Sequence, residues 1–135
     1  MKNNLSPESK VTYELDEEFA LESLDNQSGI SIVFKHDYYS SDNDHGRFLL
    51  KKLIDGVLTG CVQIESVFFV DTGVKLLDVN NPSHSLIMTL LDVCQTSNAC
   101  SESIEYYNIS TAVPVVPANE LFILMGDMTG LLIVE

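Results

Sequence analysis

Three cysteines, Cys61, Cys94 and Cys100, are the residues of this chain best suited to covalent chemistry. A thiolate is a nucleophile at neutral pH when its surroundings favour the ionised form. No two of the three have the C-x-x-C spacing of a zinc or dithiol redox site, and Cys94 and Cys100 stand six positions apart. An odd number without a recognisable leader also argues against a disulfide framework. A single cysteine is ordinarily a small, inert, buried hydrophobe, and Cys61 and Cys94 fit that description. Cys100 differs in its sequence neighbours. If Ser101 to Ile104 open a helix, the positive end of the helix dipole would favour the thiolate. Glu102 and Glu105 act in the opposite direction.

Other residue groups could do chemistry and are weaker. His36, Asp37, Asp42, Asp44 and His45 offer metal-ligand types within ten positions. No two histidines stand four apart on one helix, so solvated loop residues and helix caps are the expected roles and no metal is expected. His84 should face solvent from the start of a helix. Tyr106 and Tyr107 could stack on a ligand, but aromatics beside a short helix more often pack on a neighbour. Phe68 and Phe69 fall mid-strand and should be core. The patterns G-x-S-x-G, G-x-G-x-x-G and the P-loop are absent, which removes support for a serine triad, for nucleotide binding and for a bound cofactor.

Length and charge narrow the class. The chain has 135 residues, about one domain, and 45% of them are hydrophobic, enough for an ordinary core. No apolar run approaches the roughly 20 residues that span a bilayer. No basic segment followed by an apolar stretch opens the chain, so a cytoplasmic protein is expected. Twenty acidic residues face seven basic ones, a net charge of −13, and after Lys75 seven acids appear with no Lys or Arg. Phosphate backbones and anionic membrane surfaces both require clustered cations, so neither nucleic acid nor membrane is an expected partner.

The elements that must position Cys100 can be read from periodicity. Residues 1–28 carry seven acids and few strong hydrophobics, and form an acidic N-terminal arm ahead of an α/β domain over 29–135. Ile30 to Phe34 and Ile64 to Val70 are short apolar runs of the kind buried in parallel sheets. Between them Phe48, Leu49, Leu50, Leu53, Ile54, Val57 and Leu58 recur at helical spacing, with Asp42 and Asp44 at the helix start and Gly60 at its end. Asn81-Pro82 should open a second helix, whose buried stripe is Leu86, Ile87, Leu90, Leu91 and Cys94. Beyond it the pattern weakens. A third strand is expected to lead into Cys100, followed by a helix over 104–109, a short strand over 113–116, a helix over 121–125 and a closing strand over 131–134. The expectation is a three-layer αβα domain with a small, mostly parallel sheet of four or five strands. Ligands of such sheets bind at the carboxyl ends of the strands. The loop 35–44, Asp71-Thr72-Gly73 and the stretch around Cys100 all map there.

Three blocks of sequence carry a resemblance to a known family. Ser41-Asp42-Asn43-Asp44-His45-Gly46 leads into Leu49-Leu50-Lys51. Ile64-Glu65-Ser66-Val67-Phe68-Phe69-Val70 is followed by Thr72-Gly73-Val74-Lys75-Leu76. The third block is Cys100-Ser101-Glu102-Ser103-Ile104-Glu105-Tyr106-Tyr107-Asn108. Over residues 30–109 the chain resembles the DsrE family of sulfur-relay proteins, which includes TusD, and is especially similar to the C-terminal domain of YedF-type members linked to selenium metabolism. The resemblance implies a DsrE-like fold, a trimer or hexamer of identical chains, and a persulfide carried on Cys100 between a donor and an acceptor protein. Ser41, Asp42 and Gly73 would then line the pocket through hydroxyl and backbone donors. Several features depart from the family pattern, among them the polar run Gln95-Thr96-Ser97-Asn98 before the cysteine, where the family strand is apolar. Ser103 stands where a second cysteine is common, which makes Cys100 a carrier and not half of a dithiol. Asn108 stands where the family has glycine, and asparagine tolerates the left-handed backbone. The alternative is a non-catalytic oligomeric binding or scaffold protein on the same fold, with Cys100 structural. The two differ on the thiol, which a carrier needs accessible and a scaffold leaves buried.

Overall fold

The computed structural model describes residues 29–60 and 63–135. The acidic arm and Cys61 lie outside the described residues. Strand β1 (Ile30–Phe34) and β2 (Ile64–Phe69) are the two apolar runs. Helix α1 (Asp44–Thr59) joins them, capped by the Asn43 side chain, which accepts from Gly46 N, and closed at Gly60. A 3-10 helix (Asp71–Leu77) comes after β2, then α2 (His84–Val93), β3 (Thr96–Cys100), α3 (Ser101–Tyr106), β4 (Val115–Val116), α4 (Ala118–Gly126) and β5 (Leu131–Val134). All strand pairs are parallel, and the sheet order is β4-β3-β2-β1-β5. The expected α/β architecture is therefore present with five strands.

Topology decides which face each helix covers. From β1 to β4 the chain steps one way across the sheet, and right-handed crossovers put every connection on the same face. Leu50 and Ile54 of α1 and Ile87 and Leu90 of α2 pack there against Ile32, Phe34, Val67 and Phe69. The step from β4 back past β1 to β5 reverses direction, so α4 lies on the opposite face. Its buried Leu121 joins Val33, Phe68 and Cys100 in a second, smaller cluster. The strand alternation separates the two sets: Val33 and Phe68 point one way, their neighbours the other.

Several local expectations need correction. The Asn81 side chain accepts from Ser83 N and the Asn81 carbonyl from His84 N, so Asn81-Pro82 builds a turn and α2 begins two residues later. His84 is half-buried, with Nδ1 3.3 Å from the Leu76 carbonyl, and does not simply face solvent. The helix expected over 104–109 starts directly after Cys100 and ends at Tyr106. It stops because Asn108 turns left-handed, with φ of 55°. That conformation is the one an asparagine in place of glycine can adopt. The strand expected over 113–116 shortens to Val115 and Val116. No helix among the described residues is long and apolar enough to cross a membrane.

Candidate functional site

The strands' carboxyl ends gather Phe34, Phe69, Cys100, Val116 and Val134 along one edge of the sheet. Cys100 is the last residue of β3 and the residue from which α3 starts. Its polar strand, Thr96-Ser97-Asn98-Ala99, is held by parallel pairing to β2 and by a 2.6 Å hydroxyl contact between Ser66 and Thr96. Only Ala99 and Cys100 of this strand are buried. Cys100 is 3% exposed, packed with Phe68 and Leu121.

The Cys100 thiol meets a carboxylate. Its Sγ donates to Oε1 of Glu102 at 3.7 Å. The same oxygen accepts from Ala118 N at 2.8 Å and from the Ser101 hydroxyl at 3.2 Å. Ala118 is the first residue of α4, whose preceding Pro117 supplies no side-chain cap. Glu102 therefore caps α4 from α3 and links the two elements that flank the thiol. Its pKa lies below the ordinary glutamate value, chiefly through the Ala118 N–H, then its own backbone N–H, with smaller help from Ser101 and Cys100. At neutral pH the thiol thus faces a charged carboxylate.

Glu102 also borders an open crevice of about 430 Å³, which it lines together with Asp71, Ser103, Tyr106 and Tyr107. Asp71 has a positive φ of 55°, unusual for a residue with a side chain. Ser103 explains how it is held: the Asp71 N–H donates to Ser103 Oγ at 2.9 Å. The Tyr107 hydroxyl donates to the Asp71 carboxylate at 3.1 Å. Burial, then that bond, raises the Tyr107 pKa. Lys75 Nζ lies 4.9 Å from the Tyr107 ring centroid, within cation–π range. Tyr106 meets Tyr107 edge-on and is 81% exposed.

The residues expected to line a pocket are placed differently from one another. Gly73 is buried, and its N–H is shared between the carbonyls of Lys35 and Val70, so it has no free donor for a ligand. A Cβ at Gly73 would stand 2.0 Å from the Phe34 carbonyl oxygen, which identifies it as a close-approach glycine between β1 and the 3-10 helix. Ser41 and Asp42 belong to the loop after β1. That loop leans toward β5: Ser40 N donates to the Glu135 carbonyl, and Lys35 pairs with the Glu135 carboxylate at 2.7 Å. Asp42 pairs with Arg47 at 2.6 Å. No hydrogen bond among the described residues links Ser41 or Asp42 to Cys100. The sheet order explains the separation, since β3 is two strands away from β1 while the reversal of chain direction falls between β1 and β5.

Glu102 carries no local sequence signal that marks it as a pocket residue, whereas Asp71 falls in a segment that maps to the ligand-binding edge and Tyr107 in a pair expected to pack on a neighbour. The stretch Asp71-Thr72-Gly73 has a turn signal, but the unusual backbone falls on Asp71 and not on the glycine. Of the loop residues with metal-ligand chemistry, His36 pairs with Thr72 Oγ1 at 2.8 Å and stacks on Tyr38. No three His, Cys, Asp or Glu side chains converge on one point among the described residues. Cys94 is half-buried with its Sγ on the Leu91 carbonyl, and burial raises its pKa. The chain matches no protein-family model and no curated protein.

Proposed function

We propose that this chain is a DsrE-like sulfur-relay protein whose Cys100 carries a sulfane sulfur between a donor and an acceptor protein. The observation that supports it is the position of Cys100 at the carboxyl end of the interior parallel strand β3, two residues before Glu102, which lines an open crevice. In the loading step, the Cys100 thiolate attacks the outer sulfur of a donor persulfide, R–S–SH. The new S–S bond forms as the old one breaks, the donor leaves as R–S⁻, and the product is Cys100–S–SH. An acceptor thiolate then takes the same sulfur by the same exchange and frees Cys100. No net oxidation occurs. Ser103 holds the backbone of Asp71 and supplies no second thiol, which suits a single-cysteine carrier. Assembly into a trimer or hexamer, a cytoplasmic location and a link to selenium chemistry belong to this proposal through the family resemblance.

A second reading is favoured by one specific observation, the 3% exposure of Cys100. A binding or scaffold protein on this fold would keep that thiol as a core residue and present the crevice to a partner. Alkylation of the native protein by iodoacetamide, with each cysteine followed by mass spectrometry, separates the two. A carrier predicts that Cys100 labels faster than Cys94 and takes up sulfane sulfur from a persulfide donor. Labelling of Cys100 only on unfolding would remove the relay and leave the scaffold.

A further inference from the structure

We propose that Glu102 is the positioning residue that keeps Cys100 as a covered thiol, and that its release from the start of α4 turns Cys100 into a nucleophile. This inference rests on the relay reading for its purpose, although the contact itself stands on geometry. One carboxylate oxygen serves three donors: the α4 backbone at Ala118, the Ser101 hydroxyl and the Cys100 thiol. The shortest of these contacts, Ala118 N at 2.8 Å, belongs to the element that also places Leu121 over Cys100. One movement of Glu102 would therefore withdraw the thiol's acceptor, remove a negative charge from beside the sulfur and loosen the tie between α3 and α4. Glu102 is itself exposed, so a docking partner can reach it without entering the core. A basic or hydrogen-bonding group on a donor protein could take over the carboxylate at the moment its sulfur arrives. Because both steps of sulfur exchange need the thiolate, such control would restrict reaction to the docked complex.

Glu102→Gln in the full chain tests this directly. The amide retains an acceptor for Ala118 and removes the charge. Alkylation of native protein is followed at Cys100, with Cys94 as the internal reference. Expected is a rise on the order of tenfold in the Cys100 rate with iodoacetamide, with Cys94 unchanged. A second readout isolates charge: the Cys100 preference for neutral iodoacetamide over anionic iodoacetate should fall in the variant, which a merely structural role would not produce. If Glu102→Gln does not fold, Ala118→Pro removes the anchoring N–H at a first-turn position that tolerates proline, and Cys100 should alkylate faster because the carboxylate released from α4 can leave the sulfur. An unchanged Cys100 rate, or equal acceleration of Cys94 and Cys100, overturns the inference. Failure of the relay reading looks different: Cys100 in Glu102→Gln would alkylate rapidly yet form no Cys100–S–SH from a persulfide donor R–S–SH.

Discussion

Adding a single methyl group at Gly73 should destabilise the domain by about 2–4 kcal/mol, because that methyl has nowhere to go. A Cβ there would lie 2.0 Å from the Phe34 oxygen and 2.7 Å from the Phe34 carbonyl carbon. Reaching even the 3.0 Å limit of real Cβ contacts requires 1 Å of relative movement (3.0 minus 2.0) between the end of β1 and the 3-10 helix. Neither partner is a flexible side chain. Phe34 is fully buried against Phe69, and Val74, the next residue, is fully buried as well. Forced overpacking of this kind costs about 1–3 kcal/mol. The same movement strains the Gly73 N–H, shared between the Lys35 and Val70 carbonyls and worth about 1 kcal/mol net. For a domain of this size each kcal/mol lowers Tm by about 4–8 °C, so Gly73→Ala should melt at least about 8 °C lower. Thermal melts by circular dichroism, checked against urea midpoints, provide the measurement. Gly56→Ala is the matched control, because its added Cβ meets nothing within 4 Å in the last turn of α1. That change should stabilise by about 0.5–1 kcal/mol. If both variants melt within a few degrees of the parent, β1 and the 3-10 helix are not in the contact described.

Asn108→Gly should leave stability nearly unchanged, whereas Asn108→Val should cost about 1–2 kcal/mol, because a β-branched side chain is strained at a φ of 55°. Comparing the two urea midpoints checks this. Leu121→Ala removes a fully buried side chain over Cys100, and should cost about 2–5 kcal/mol while accelerating Cys100 alkylation. The acid limb of stability is set partly by Glu102 and Glu135, whose pKa values both lie below the ordinary value. For Glu135 the cause is Lys35, through hydrogen bond and charge. A carboxyl depressed in the folded state stabilises it above the unfolded pKa, and that stabilisation is lost as pH falls through the folded value. Tm should therefore hold steady from neutral pH to the unfolded glutamate pKa of about 4.3 and decline below it, with a shallower decline in Glu102→Gln.

The first half of the domain is legible in the sequence because its elements obey strong physical patterns. β1 and β2 are apolar and rich in β-branched or aromatic residues, and α1 repeats its apolar residues at helical spacing. β3 is legible only from its place in the alternation. Thr96, Ser97 and Asn98 look like a loop, and they form a strand because β2 offers a ladder and Ser66 a hydroxyl partner. The candidate site is legible at Cys100 and obscure around it. Nothing local couples Glu102 to Ala118, sixteen positions on, or Asp71 to Ser103, thirty-two positions on. Those contacts exist because β3 brings the start of α3 level with the ends of β2 and β4. Ser41 and Asp42 map with Cys100 to the carboxyl edge when only the order of elements along the chain is known. Sheet order, which local pattern does not reveal, separates them.

The placement of β5 bears on how the protein is made. Among the described residues its four residues pair only with β1, in the register Ser31 to Leu131 through Phe34 to Val134, a separation of one hundred positions. During synthesis β1, α1 and β2 emerge early and can associate at once. The flank of β1 facing β5 has no partner until Leu131 to Val134 have cleared the ribosome. The side of the sheet that contains Val33, Phe68 and Cys100 likewise stays uncovered until α4 arrives. Cys100 is thus sealed late in folding, and the nascent chain passes through a stage in which its thiol is open to oxidants and chaperones alike.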